Sequence, residues 1–167
     1  MQSLVTGMRV ERGFTLIEIL VVVTIIGITL GFALLAFGDF GADRRAIVNA
    51  EQFSTYLKLV QHQAILANNT LGVNLDKTGY STYRFNQNNW QLMPKKSIFH
   101  FRAFPSNMMV SLRTRTKTKL KAPALIIDSS GNMTEFVAHF GTEQKPELRI
   151  LVGQYDGQIK TERPKTP

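Results

Sequence analysis

Between Phe14 and Phe37 the only polar side chains are Thr15, Glu18, Thr24 and Thr29, and the only charge is that of Glu18. At about 1.5 Å rise per residue such a run makes a helix of roughly 36 Å, longer than the ~30 Å hydrocarbon core of a bilayer. A helix also satisfies every backbone N–H and C=O internally, which lipid demands. The run therefore predicts a membrane-spanning helix. The anomaly is the carboxylate near its start. Inserting an ionised Glu costs at least about 2–3 kcal/mol, and such residues usually face protein and are paired.

A secretory signal peptide has a shorter apolar region and a small-residue cleavage site after it. Here the apolar run is too long, and no such site precedes the charged stretch Asp43-Arg44-Arg45. A plain membrane anchor fits the length but leaves Glu18 unexplained. Charge does not orient the helix, because Arg9 and Arg12 flank one end and Arg44 and Arg45 the other. Met8 is as acceptable a start as Met1.

The stretch Gly13-Phe14-Thr15-Leu16-Ile17-Glu18, directly after a short basic leader, resembles the type IV prepilin signal. That resemblance implies cleavage by a prepilin peptidase between Gly13 and Phe14, methylation of the new Phe14 amine, and retention of the apolar helix. It also implies an N-in, C-out orientation. Glu18 would be the charge that meets the N-terminus of a neighbouring subunit. Electrostatics agrees with that role, since an amine and a carboxylate in low dielectric are each costly alone and less so when paired. The competing reading is a Glu that reaches water at the interface.

Beyond the membrane run, Gly38-Asp39-Phe40-Gly41-Ala42-Asp43 is poor helix material, either a loosened turn or a break capped by Asp43. Helical spacing then resumes through Ile47, Ala50, Phe53, Leu57, Val60 and Ala64, and should stop at Asn68-Asn69. The expectation is a nearly continuous helix from Phe14 to about Ala67, with two helices joined at Gly38–Gly41 as the alternative. From residue 70 the period becomes alternating. Strands are expected at Leu71–Leu75, Tyr80–Phe85, Trp90–Leu92, Ile98–Phe104, Met108–Leu112, Ala124–Asp128, Thr134–Phe140, Glu147–Val152 and Gln158–Thr161. Turns separate them at Asp76–Gly79, Asn86–Asn89, Ser129–Asn132 and Tyr155–Gly157. The fold class is α+β: a long N-terminal hydrophobic helix packed on an antiparallel two-layer β domain. Its parts are a leader (1–13), a membrane or filament-core helix (14–38), an amphipathic second half (39–69), a β domain (70–161) and a flexible tail (162–167).

The second unusual stretch is basic. Lys95 to Lys121 holds eight basic residues and no acidic one, within a chain of formal charge +8. In an extended backbone Arg113, Arg115, Lys117, Lys119 and Lys121 share one face. This ribbon suits an acidic partner or phosphates. It also suits a protected edge strand, a loop between sheets, or a surface with no specific partner. Nucleic acid is the less favoured partner, because Phe99, Phe101 and Phe104, which could stack bases, suit a core equally well.

No catalytic constellation is legible. His62, His100 and His139 lack metal-ligand spacing, and there is no phosphate loop, nucleophile elbow or close carboxylate pair. The chain has no cysteine, which excludes disulfides and thiol chemistry. Asp128-Ser129-Ser130-Gly131-Asn132 carries oxygen donors but no following Glu ligand, and reads as a turn. No cofactor or metal is expected.

Arg44–Ala67 resembles the second half of the long helix in the minor pseudopilin H family of type II secretion. Ala124–Gly131 is similar to that family's strand–turn element, with Ile127 and Ser129 where an aromatic and a proline are usual. Leu148–Val152 and Asp156–Ile159 look like its final hairpin. The resemblance implies a non-enzymatic subunit at or near the tip of a periplasmic pseudopilus. It would sit in the bacterial inner membrane with its β domain in the periplasm. Its partners would be other pseudopilins, the prepilin peptidase, and the outer-membrane channel or secreted cargo. The related minor type IV pilins of the FimT kind, some of which bind DNA, often end in a Gly-Arg-x-Arg run and carry cysteines, both lacking here.

Overall fold

The computed structural model describes residues 14–115 and 122–164, and at 35–40 the backbone alone. The chain divides between Asp39 and Phe40 into two compact units. Helix α1, Leu16–Leu66, contributes to both. Thr15 starts it: its hydroxyl accepts the Glu18 N–H at 3.3 Å and its carbonyl accepts the N–H of Ile19 at 3.3 Å. Within the apolar run, the Thr24 hydroxyl donates to the Leu20 carbonyl at 2.8 Å, and that of Thr29 to Ile26 at 2.9 Å. Each hydroxyl is thus satisfied by its own helix, as an apolar environment requires.

The break at Gly38–Gly41 is absent, because the backbone stays helical there. Asp43, considered as a cap, instead lies inside α1. Its carboxylate accepts from Lys145 Nζ at 2.7 Å and from the Thr142 hydroxyl at 3.4 Å. The buried stripe runs Ala46, Ala50, Phe53, Leu57, Val60 and Ala64, joined by Tyr56. Ala46 takes the place expected for Ile47, which is half-buried. Alternating steps of four and three residues stay in phase with 3.6 residues per turn, whereas successive steps of three from Ile47 drift off the face. The helix ends as the asparagines suggest. Asn68 takes φ 46°, and the N–H groups of Asn68 and Asn69 return to the carbonyls of Ile65 and Ala64 at 3.1 and 3.0 Å. This is a Schellman motif with Asn in the left-handed position.

Nine strands follow among the described residues: β1 Leu71–Leu75, β2 Gly79–Asn86, β3 Asn89–Leu92, β4 Arg102–Ala103, β5 Met108–Thr114, β6 Leu125–Ile127, β7 Phe136–Thr142, β8 Arg149–Gly153 and β9 Ile159–Glu162. They form two antiparallel sheets. The first has the order β3-β2-β1-β6 with β4 also on β2, and the second has the order β5-β7-β8-β9. Phe53 of α1 meets both, its ring centroid 4.9 Å from Tyr80 on β2 and 5.8 Å from Phe140 on β7.

Three expected strand limits are corrected. Residues 98–100 form a turn, held by Phe99 N–H to the Ser97 hydroxyl at 3.1 Å and His100 N–H to the Ser97 carbonyl at 3.2 Å, so only Arg102–Ala103 pairs. Thr134 lies outside β7 because its N–H and hydroxyl are engaged with the backbone of Ile126 on β6. Glu162, assigned to the tail, closes β9 opposite Ile150.

Candidate functional site

Gly13 lies outside the described residues; Phe14 and Glu18 are both exposed. Thr15 and Glu18 occupy the N-cap and third helical positions of α1, the spacing of a capping box. A carboxylate there also faces the positive end of the helix dipole. Glu18 stands out in the sequence for its charge, whereas the capping role of Thr15 does not, although the T-x-x-E signal is legible there. Every side chain from Phe14 to Phe32 is exposed. Leu16–Leu34, with mean hydropathy 2.5, is long and apolar enough to cross a membrane.

Of the five basic residues singled out, Lys117, Lys119 and Lys121 lie outside the described residues. Arg113 and Arg115 are described and exposed, and they share an outward face with Ser111. Among the described strands β5 pairs with β7 alone, so Arg113 belongs to the outermost strand of the second sheet and Arg115 follows directly on its end. Arg115 Nη1 sits 2.9 Å from Glu135 Oε2, but with the arginine 80% exposed the pair is heavily solvent-screened. Beside them lies an open groove of about 400 Å³, lined by Arg113, Arg115, Glu135, Val137, Val152 and Gln154. Of the aromatics that could stack bases, Phe99 is buried against Tyr56 and Phe104 packs between Tyr80 and Phe140. Only Phe101 is exposed.

The histidines remain apart: His100 Nδ1 lies 2.7 Å from the Ser97 carbonyl, and His139 Nδ1 3.1 Å from Glu147 Oε1. Among the described residues no three metal-ligating side chains converge. The oxygens of Asp128 are used by its own turn. Oδ1 accepts the Ser130 hydroxyl at 2.6 Å and the N–H groups of Ser130 and Asn132 at 2.9 and 3.1 Å. The Ser130 hydroxyl, with these N–H groups, holds the Asp128 carboxyl below its ordinary value.

A contact not foreseen from sequence joins the strand–turn element to the last hairpin. Gln61 of α1 donates to the Gly131 carbonyl at 2.8 Å, and Met133 N–H donates to the Tyr155 carbonyl at 2.9 Å. Gly131 and Gly157 have φ of 91° and 82°. A Cβ on Gly157 would lie 1.9 Å from Gln61 Nε2, so this junction admits no side chain there.

Comparison with known proteins agrees with this geometry. Residues 8–34 match the family model of the prokaryotic N-terminal methylation motif. The chain is 28% identical over 162 residues to type II secretion system protein H of Pseudomonas aeruginosa, covering 90% of this chain and 94% of that one. With the Aeromonas hydrophila protein of the same name it shares 22% over 158 residues, or 84% of this chain and 86% of the other. Its fold is shared with the minor pseudopilin EpsH of Vibrio cholerae at TM-score 0.61 and 19% identity, over 74% of this chain and 99% of that one. It is shared equally with E. coli GspH at TM-score 0.61 and 16% identity, over 75% and 94% of the two chains. The methylation motif at its start, the sequence likeness along most of its length and the common fold together make this chain similar to the minor pseudopilins H of type II secretion.

Proposed function

We propose that the protein is a minor pseudopilin of a type II secretion system, a structural subunit at or near the tip of the periplasmic pseudopilus that helps export folded proteins. The observation that carries this reading is an exposed apolar helix, headed by Gly13-Phe14-Thr15-Leu16-Ile17-Glu18, on a chain similar to protein H of type II secretion over most of its length. A prepilin peptidase cuts between Gly13 and Phe14 and methylates the Phe14 amine. The helix anchors the chain in the inner membrane with the β domain in the periplasm, and then packs among the helices of other pseudopilins. Glu18 pairs with a neighbour's N-terminal amine and sets the register of docking, because either charge alone in an apolar bundle is costly. Arg113 and Arg115 contribute a contact to an acidic partner, such as a neighbouring subunit, the outer-membrane channel or cargo.

The test is Glu18→Ala beside Glu18→Gln in a cell carrying the other pseudopilins. Both variants are expected in the membrane fraction at ordinary levels, and neither should co-purify with the other subunits. Unchanged co-purification overturns the docking role. Retention of Gly13 in the purified chain, read by N-terminal mass spectrometry, overturns the processing.

A further inference from the structure

The ladder between β5 and β7 runs from Met108 opposite Thr142 to Thr114 opposite Phe136, and no other described strand pairs with β5. In an antiparallel ladder, alternate residues turn both backbone polar groups toward the same neighbour. The Arg115 N–H donates to the Glu135 carbonyl at 3.2 Å, which sets the phase. Ser111 and Arg113 therefore address β7, and Val110 and Leu112 turn N–H and C=O to the open side. Such a row is a ready template for another strand.

The side chains select what can pair. Arg113 and Arg115 are exposed, and among the described residues Glu135 neutralises only Arg115. A second copy laid edge to edge would bring two edges of the same positive charge together, and the chain as a whole carries +8, so like charge disfavours it. An incoming strand with carboxylates on that face meets the opposite balance. We propose that the edge of β5 at Val110 and Leu112, unpaired among the described strands, accepts an extended acidic segment of a partner protein as a fifth strand of the second sheet. Its carboxylates lie opposite Arg113 and Arg115, and its backbone pairs with Val110 and Leu112. This rests on the acidic contact proposed above and gives it a binding mode.

The full chain in detergent micelles is titrated with a fluorescent peptide of about eight alternating Glu and Val residues, a typical strand length. Controls are an alternating Lys-Val peptide, the Glu-Val peptide N-methylated at alternate residues, and a single-stranded oligonucleotide. Saturable anisotropy is expected for the Glu-Val peptide alone, with slowed amide exchange at Val110 and Leu112. Arg113→Glu with Arg115→Glu should weaken binding roughly tenfold or more, as loss of complementary charge does. The N-methylated peptide leaves the protein unaltered, so its expected failure cannot come from misfolding. Equal binding of the methylated peptide, with no change in exchange, overturns strand addition and leaves the acidic contact standing. Absence of Glu-Val binding, or preference for the oligonucleotide, overturns both.

Discussion

Gly157 is a residue at which both backbone and surroundings resist a side chain. It combines φ 82° with a position where a Cβ would meet Gln61 Nε2 at 1.9 Å and the Gly131 carbonyl at 2.5 Å. Gly157→Ala is expected to lower unfolding free energy by about 2–4 kcal/mol, adding left-handed strain to overpacking. Gln61→Ala removes one hydrogen bond and should lose about 1 kcal/mol. The double variant relieves the contact with Gln61 but neither that with the Gly131 carbonyl nor the backbone strain, so it should fall between wild type and Gly157→Ala; urea midpoints check the order. Tyr155–Gly157 and Ser129–Asn132 are legible as turns because turn chemistry is local. That both converge on Gln61 is not legible, since the Gln61–Gly131 bond spans 70 residues. Titration adds a second expectation. The Thr78 and Ser130 hydroxyls hold the carboxyls of Asp76 and Asp128 below their ordinary value in the folded chain. Groups so depressed contribute stability that is present above the unfolded carboxylate value, about 3.9, and lost as pH falls through the folded value. Wild type should therefore lose more stability on acidification across this range than Asp76→Asn/Asp128→Asn, measured by urea midpoint against pH.

At the level of elements, what is local was readable and what depends on strand order was not. The end of α1 follows from Asn68-Asn69, because a left-handed cap needs a residue that accepts positive φ. Asn68→Gly should leave stability unchanged or slightly raised, whereas Asn68→Ala should lose about 1 kcal/mol; thermal midpoints distinguish the two. Ile98–Phe101 misled because alternating apolar residues also describe a turn whose buried ring, Phe99, is pinned by Ser97. Arg113 and Arg115 were legible as one face of a strand. That the strand is outermost is one of the alternatives its basic residues suggest, and the pairing of β7 with β8 is what decides it. The Asp43–Lys145 contact belongs here too, since it ties α1 to the β7–β8 connection across 102 residues. With Lys145 61% exposed, its loss in Asp43→Asn should cost no more than about 1 kcal/mol and should shrink with added salt.

For the whole molecule, the location of the core decides which part can stand alone. Every buried apolar side chain of the described residues lies between Ala46 and Leu151, within the unit that begins at Phe40. Among its described side chains the first unit buries none: between Phe14 and Leu34 the large apolar side chains are all exposed. A continuous apolar surface of that size is not tolerated in water by a monomer and requires lipid, detergent or other helices around it. The second unit, in contrast, has a helix, two sheets and a shared aromatic centre at Phe53, which is what cooperative folding needs. A chain starting at Phe40 is therefore expected to be monodisperse without detergent and to unfold in a single transition, while the chain from Phe14 aggregates unless detergent is present. Size-exclusion chromatography and thermal circular dichroism check both. Aggregation of the shorter chain, or gradual melting without a transition, would mean that its stability depends on the apolar helix. The long helix would then belong to the core of the β domain, and its first half could not be given over wholly to membrane and filament.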